Sequence, residues 1–225
     1  MKTIVYVDGY NLYYGRLAGT PYKWLDVAAL FQTIVRIQDP RSEVIAIKFF
    51  TAHAVARYAR HGVKSETAQK QYHRALEIQS QGLLTITLGR HHLTEDELPT
   101  YFDGKDPDKT VKTKVWLIVE KKTDVSLAMA MYRDAAKSLC VQTVLCSNDS
   151  DAEPALQAIR DDFQGHTIGI VSPVAPSLHG GVNRGLSKIA DWTRSSISDQ
   201  ELQASQLPPK VITPKGKVFR KPLHW

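Results

Sequence analysis

The chain has 225 residues, of which 43% are hydrophobic and 23% are charged, an ordinary composition for a globular α/β protein with one sizeable core. No run approaches the roughly 18 apolar residues of a membrane span, and the short apolar run at the N-terminus ends at Asp8, so it predicts a strand and not a signal peptide. The formal charge is +6, and residues 205–225 hold five lysines and arginines but no acid.

The predicted elements alternate along the chain. Short β-branched runs predict strands at 3–8, 44–52, 83–90, 141–147 and 166–173. Apolar residues spaced three and four apart predict helices at 24–37, 66–81, 124–139, 152–163 and about 183–193. Residues 91–114 are polar and predict a surface loop or an insertion. Residues 115–121 are ambiguous between a short strand and an extended approach to the next helix.

Alternating strands and helices are typical of a mostly parallel sheet with helices on both faces. We therefore predict an α/β domain with a mostly parallel central sheet over residues 1–195 and an extended basic C-terminal tail over residues 196–225. Cys140 and Cys146 lie at opposite ends of one predicted strand, so we expect free thiols and a cytoplasmic protein.

Four aspartates are predicted to meet at one edge of the sheet. Asp8 ends the first strand, Asp149 and Asp151 follow the fourth, and Asp124 opens a helix. Because the carboxyl ends of parallel strands share an edge, these acids would crowd together, and like charges at short range need compensation. Mg²⁺ or Mn²⁺ would supply it through oxygen ligands. Asn11 could position a ligand water or a phosphate.

Each acid also has a purely structural interpretation. Asp8 can close a strand with a turn, and Asp124 in a first helical turn suits the helix dipole. Asp151 can cap the next helix, or residues 150–153 can form a capping box. Asp149 is harder to explain in this way, because one cap does not need it.

Three stretches together resemble the NYN domain, a branch of the PIN-like nuclease fold: "IVYVDGYNLYY", "KKTDVSLAMAMYRDA" and "VLCSNDSDAEPALQAIRDDFQGHTIGIVSP". The family's Asp-x-x-Asn motif is matched by residues 8–11, and its Lys-x-x-Asp-Val helix start by residues 121–125. Its Ser-Gly-Asp-Ser-Asp motif is matched by residues 147–151, with Asn148 in place of the glycine. The resemblance covers roughly residues 2–195.

This resemblance implies a three-layer, Rossmann-like domain of the PIN-like fold and a metal-dependent endoribonuclease. A metal-bound water would hydrolyse RNA phosphodiesters, and Asn11 would support the site. The implied Mg²⁺ or Mn²⁺ ligands, which would also be catalytic, are Asp8, Asp124, Asp149 and Asp151. The further acid that PIN-like sites often place after the second strand is missing from "FFTAHAV".

Basic residues interleaved with tyrosines suit phosphate contact and base stacking, although a solvated surface would show the same pattern. The predicted RNA contacts are Arg57, Arg60, Lys64, Arg74 and Lys122. The predicted partner is RNA, with no membrane and a possible homo-oligomer. His91 and His92 look like a metal pair, but adjacent strand residues point to opposite sides, so we interpret them as surface histidines.

Two other functions remain open. Some members of the family hydroxylate a succinylated pyridine in nicotine breakdown, a 6-hydroxy-3-succinoylpyridine monooxygenase activity, and this sequence resembles that subgroup in general layout. It nevertheless lacks the Gly-x-Gly-x-x-Gly pattern of dinucleotide sites. The second alternative is a non-catalytic nucleic-acid-binding module, against which the intact acid set argues.

Overall fold

The computed structural model describes residues 1–177 and 181–225 of the chain. Its strands are β1 (Lys2–Asp8), β2 (Glu43–Thr51), β3 (Leu84–Leu88), β4 (Arg90–Pro99), β5 (Lys112–Lys121), β6 (Gln142–Cys146), β7 (Thr167–Val171), β8 (Trp192–Arg194), β9 (Lys210–Ile212) and β10 (Val218–Arg220). Its α-helices are α1 (Gly9–Leu12), α2 (Val27–Gln38), α3 (Val63–Gln79), α4 (Thr123–Ala136), α5 (Glu153–Asp162), α6 (Arg184–Ile189) and α7 (Asp199–Ala204). A π-helical turn covers Tyr13–Leu17 and a 3₁₀ turn covers Ser150–Ala152.

Six strands form a central parallel sheet in the order β3-β2-β1-β6-β7-β8. Helices cover both faces, so the predicted α/β architecture with a mostly parallel, Rossmann-like sheet is confirmed. Along β1, six of the seven residues are buried, as expected for a central strand that is covered on both sides.

Each face of the sheet carries its own core. On one side, α2 and α3 pack their apolar stripes through residues such as Phe31, Ile34 and Leu76. On the other side, α4, α5 and α6 contribute Met131, Leu156 and other buried side chains. The strand β1 contributes side chains to both cores, so packing on its two faces fixes the position of its carboxyl end.

Of the two alternatives predicted for residues 91–114, the surface loop is wrong over much of its length and the insertion agrees with the structure. Residues 90–99 and 112–121 form an antiparallel two-stranded hairpin, β4-β5, which stands apart from the central sheet. The ambiguous segment 115–121 is therefore a strand. Both strands are largely exposed, so they lack the alternation of apolar and polar residues that marks a half-buried strand.

The predicted extended tail is also wrong, because residues 196–225 are folded. The tail contains α7 and the small β9-β10 hairpin, and Val211 and Phe219 are buried in the core on the α2-α3 side. The Trp225 ring packs edge-on against Trp24 and Tyr72. The segment completes the domain's core and does not extend into solvent.

Within the described ranges, none of the helices combines the length and apolar character that a bilayer-spanning segment requires. Both cysteines are buried and free, as predicted.

Candidate functional site

The candidate site lies where the strand order reverses. If the six strands of the central sheet are renumbered from 1 to 6 in chain order, their order across the sheet is 3-2-1-4-5-6. Ligands of such sheets bind beyond the carboxyl ends of the strands, at the point where the strand order reverses. Here that point falls between β1 and β6. Val7 pairs with Cys146 across these two strands, which places Asp8 beside Ser147.

Asp8 is buried, and four hydrogen bonds satisfy its carboxylate. Oδ1 accepts the backbone N–H groups of Tyr10 (3.0 Å) and Asn11 (2.9 Å), so Asp8 caps α1. Oδ2 accepts the Asn11 amide (2.7 Å) and the Ser147 hydroxyl (3.1 Å). Burial raises the pKa of Asp8, and these four donors oppose that shift. A carboxylate has about four acceptor positions, and all are in use.

A relay of asparagines joins β1 to the far side of the cleft. Asn11 Oδ1 accepts the backbone N–H of Asn148 (3.2 Å), and Asn148 Oδ1 accepts the backbone N–H of Asn183 (2.6 Å). The Asn148 amide also donates to the carbonyl of Gly181 (3.3 Å). The Asn148 side chain therefore positions the loop before α6, a role that a glycine there could not fill.

Asp149 caps the 3₁₀ turn that follows β6. Its Oδ1 accepts the backbone N–H of Asp151 (3.0 Å) at the start of the 3₁₀ turn, and its own N–H donates to the Ser147 hydroxyl (3.1 Å). The predicted alternatives, an Asp151 cap or a capping box over 150–153, are both wrong, because α5 begins without a side-chain cap. Asp151 is exposed.

The structure does bring the predicted acids to one region. Asp124 lies in the first turn of α4. Its pKa is raised, first by partial burial and then by the negative charges of Asp8, Glu120, Asp149 and Asp151. The electrostatic crowding expected from the sequence is therefore present, and it makes this edge of the cleft negative.

Crowding alone does not make a metal centre. Within residues 1–177 and 181–225, no three His, Cys, Asp or Glu side chains are arranged to hold an ion. Both carboxylate oxygens of Asp8 and one of Asp149 already accept hydrogen bonds from protein donors.

Tyrosines form one wall of the site, although the sequence leaves open whether Tyr10 and Tyr14 lie in the core or at the rim of the site. The Tyr10 and Tyr14 rings are stacked, with centroids 5.9 Å apart and planes 7° from parallel. The Tyr10 hydroxyl lies 2.9 Å from His91 Nε2 at the base of β4. The assignment of His91 as a plain surface residue is thus incomplete. A signal was available, because His91 follows β3 at the same sheet edge as Tyr10.

A cleft of about 350 Å³ opens beside this wall. Its lining residues are Tyr10, Asn11, Tyr14, Gly15, Asn148, Pro173 and Val174. Gly15 matters here, because a Cβ at that position would overlap the carbonyl oxygen of Pro173. The π-helical turn can therefore approach the loop after β7 closely enough to close one end of the cleft.

The predicted RNA-contact residues do not line this cleft. Arg57, Arg60 and Lys64 are exposed between β2 and the first turn of α3, where Lys64 borders a second cavity with His224 of the C-terminal segment. Arg74 pairs with Glu77 at 2.7 Å. Lys122 is exposed beside the start of α4.

The fold and cleft define a Rossmann-like α/β protein with an open cleft at the reversal of strand order. The chain is 36% identical to 6-hydroxy-3-succinoylpyridine 3-monooxygenase HspA of Pseudomonas putida, in an alignment that covers 100% of this chain and 75% of the relative. It therefore belongs to the family of that monooxygenase.

A crystal structure of a protein of unknown function from Vibrio parahaemolyticus has the same fold. The TM-score is 0.52 at 18% identity, over 88% of this chain and 93% of the other. No family model matches the chain, so the resemblance to NYN domains stays a prediction.

This relationship corrects the function predicted from the acid cluster. The relative is a monooxygenase, an oxidoreductase, so the predicted metal-dependent endoribonuclease, its hydrolase chemistry and its Mg²⁺ or Mn²⁺ cofactor are wrong. The error arose because acids at a sheet edge resemble metal ligands when their capping hydrogen bonds cannot be seen. The alternative interpretation as a pyridine hydroxylase accounts better for the relationship.

Proposed function

We propose that the protein is a monooxygenase that hydroxylates a hydroxypyridine bearing an acidic side chain, with 6-hydroxy-3-succinoylpyridine as the first candidate substrate. The 36% identity to the named monooxygenase, sustained over the whole chain, is the observation that carries this proposal. The cleft beside Tyr10 and Tyr14 is its proposed substrate site.

The cleft suits a flat aromatic ring. The exposed fraction of Tyr14 is 70%, so its ring offers a free edge and face next to the stacked Tyr10. Aromatic rings gain about 0.5–1.5 kcal/mol from stacking beyond the area that they bury. A volume of about 350 Å³ lies within the range of small-molecule pockets.

Polar groups in the cleft can orient the ring substituents. Each amide NH₂ of Asn11 and Asn148 donates one hydrogen bond to another described residue, and an amide NH₂ can donate two. Each can therefore also donate to a ring oxygen or nitrogen. The negative edge formed by Asp124 and its neighbours would repel the substrate's carboxylate, so we expect that group to point away from α4.

The Tyr10 hydroxyl is paired with His91 at the cleft wall. Burial raises the pKa of the Tyr10 hydroxyl, so this tyrosine stays neutral and can both donate and accept a hydrogen bond. His91 Nε2 lies 2.9 Å from that hydroxyl, so a hydrogen bond fixes the position of the tyrosine ring at the cleft wall.

A monooxygenase needs two electrons to reduce the second oxygen atom of O₂ to water, and redox cofactors or nicotinamides supply such electrons. The turn after β1 does not fit the pyrophosphate of a dinucleotide. The N–H groups of Tyr10 and Asn11, which would cradle it, donate to the Asp8 carboxylate. A second anion there would be repelled, so the electron donor must approach another part of the surface.

We also infer that the domain is of the NYN type within the PIN-like fold, which the order and spacing of its three motifs support. In this chain, those motifs would serve to build the cleft wall and its caps. A cytoplasmic location agrees with the two free cysteines.

The proposed function is tested with the purified chain, 6-hydroxy-3-succinoylpyridine and NADH in ¹⁸O₂, with and without added flavin. We expect substrate-dependent oxygen uptake and one ¹⁸O atom in the aromatic product, measured by mass spectrometry. The absence of ¹⁸O from the product under every donor condition would contradict the proposal.

Tyr14→Ala should raise KM at least about tenfold, since it removes the exposed ring of the wall. Tyr101→Ala is the matched control, because this tyrosine is 82% exposed in the loop between β4 and β5 and should leave KM unchanged. Equal KM values in the two variants would place the substrate elsewhere.

A further inference from the structure

The β4-β5 hairpin, with the loop between its strands, forms a projecting arm over residues 90–121. The two strands pack extensively on each other and hardly touch any other described helix or strand. A two-stranded hairpin alone is marginally stable in water. A partner that covers one of its faces would therefore add to its stability.

One face of the arm is apolar at its centre. Paired residues of an antiparallel ladder share a face, and Leu93 pairs with Ile118 while Glu95 pairs with Trp116. Trp116 is 57% exposed, and Leu93 and Ile118 are also exposed. Exposed apolar clusters rimmed by charges are typical of protein–protein contact sites, and tryptophan is enriched at their energetic centres.

Charges of opposite sign flank this apolar centre on different strands. Glu95 and Glu97 lie on β4, and Lys112 and Lys114 lie on β5, all on the same face. Glu97 pairs with Lys114 in the ladder, yet their charged atoms are 4.0 Å apart and both side chains are largely exposed. A contact this long and solvated contributes little within the arm, so both charges remain available to a partner.

This arrangement is complementary to itself. A two-fold rotation about an axis along the arm places β4 of one copy over β5 of another. Glu97 of one copy then meets Lys114 of the other, and the reverse contact forms at the same time. Leu93 of each copy meets Ile118 of the other in the same way. A symmetric dimer uses one patch twice, as such isologous contacts require.

A partner of a single charge sign fits less well. The arm contains six basic and seven acidic residues in a chain of formal charge +6, so it is nearly neutral. A polyanion would be repelled by β4, and a polycation by β5. A second copy of this chain supplies both signs in the required positions.

The base of the arm is held in place before any partner arrives. His91 contacts the Tyr10 hydroxyl, and the Thr123 hydroxyl donates to the Glu120 carboxylate. Gly89 permits this close fit, because a Cβ there would overlap Glu120 and Thr123. A pre-organised arm loses little conformational entropy on binding.

From these observations, we propose that the arm is a dimerisation surface, through which two copies of this chain associate by stacking the Leu93–Trp116–Ile118 face of one arm on the same face of the other. The proposal does not depend on the proposed reaction.

Sedimentation velocity over a range of protein concentrations tests it with two charge-reversal variants. The first combines Glu95→Lys with Glu97→Lys, and the second combines Lys112→Glu with Lys114→Glu. In each variant, the four side chains at 95, 97, 112 and 114 carry the same charge, so the faces of two copies repel each other. The dimer dissociation constant should therefore rise about a hundredfold or more in each variant. An equimolar mixture of the two variants should restore the dimer, because opposite faces meet again.

Lys210→Glu combined with Lys215→Glu is the control, since it makes the same change of charge in the C-terminal segment and should leave the dimer intact. Circular dichroism checks that each variant is folded. A wild-type chain that is monomeric at every concentration would overturn the proposal. Two variants that still dimerise alone, or a mixture that stays monomeric, would overturn it equally.

Discussion

Asp8 shows how one buried carboxylate can organise a site through the hydrogen bonds that it accepts. It accepts two backbone and two side-chain hydrogen bonds, and in doing so it connects β1, α1 and the end of β6. Loss of a capping side chain costs about 1 kcal/mol, and buried donors left without acceptors cost about 1–3 kcal/mol more.

Asp8→Ala should therefore lower the free energy of unfolding by about 2–4 kcal/mol, measured by urea denaturation. Asp151→Ala is the matched control. Its carboxylate is exposed, so the change should stay within about 0.5 kcal/mol. Similar losses in the two variants would show that the network around Asp8 contributes no particular stability.

His73 should make stability depend on pH. Burial lowers the pKa of its imidazole to about 4, with a smaller contribution from His53. The unfolded chain binds this proton below about pH 6.5, whereas the folded chain binds it only near pH 4. The contribution of His73 to the free energy of unfolding is therefore fully present above pH 6.5. It is lost as the pH drops towards 4, by up to about 3 kcal/mol.

His73→Leu should remove that part of the decline, as seen in unfolding free energies measured between pH 7 and pH 4. His92→Leu, at an exposed position, should keep the wild-type slope. A wild-type slope in the His73 variant would rule out this histidine as the source.

At the scale of residues, the sequence located the site but not the roles within it. The positions of Asp8, Asp124 and Asp149 followed from the parallel strand order. Which aspartate caps the turn after β6 depends on backbone geometry that the pattern Ser-Asn-Asp-Ser-Asp does not encode. His91 meets Tyr10 across 81 positions of sequence, a separation that local patterns cannot report.

At the scale of elements, buried strands were predictable and exposed ones were not. The strands β1, β2, β6 and β7 show apolar runs because helices cover both of their faces. The strands β4 and β5 are largely exposed to solvent, so they contain many polar residues and their composition resembles that of a loop. The strand β8 has three residues, which is too short for any period to appear.

The pairing of β7 with β8 depends on a glycine. Gly169 pairs with Trp192, and a Cβ at Gly169 would overlap the Trp192 ring. Gly169→Ala should displace that ring and lower the free energy of unfolding by about 1–3 kcal/mol, with a change in tryptophan fluorescence.

Trp192→Val provides the test of this cause. If the ring is the obstacle, Gly169→Ala should cost much less in the Trp192→Val background than in the wild type, giving a clear coupling energy. Additive effects of the two substitutions would mean that the loss has another origin.

At the scale of the whole molecule, the C-terminal segment is part of the core. Phe219→Ala should lower the free energy of unfolding by about 3–5 kcal/mol, because this ring is 9% exposed and packs in the core on the α2-α3 side. Leu223→Ala, four residues away and fully exposed, should change it by no more than about 0.5 kcal/mol. Equal values in denaturant titrations would indicate an unattached tail.

The chemistry could not be deduced from the architecture. A Rossmann-like sheet presents side chains at one edge whatever reaction it supports, and hydrolysis and oxygenation can both be performed there. The acids suggested a cation because their charges are visible in the sequence. The stacked tyrosines that line the cleft are evident only once the π-helical turn brings Tyr14 back over Tyr10.

The arm leaves and rejoins the domain at adjacent points, since Arg90 pairs with Lys121. The strands of the central sheet can therefore pair in the same way whatever the length of the arm between these residues. Insertions, deletions and substitutions within the arm should therefore have little effect on the folding of the central sheet. If the arm is the dimerisation surface proposed above, a chimaera carrying another relative's segment should keep this fold and change its self-association.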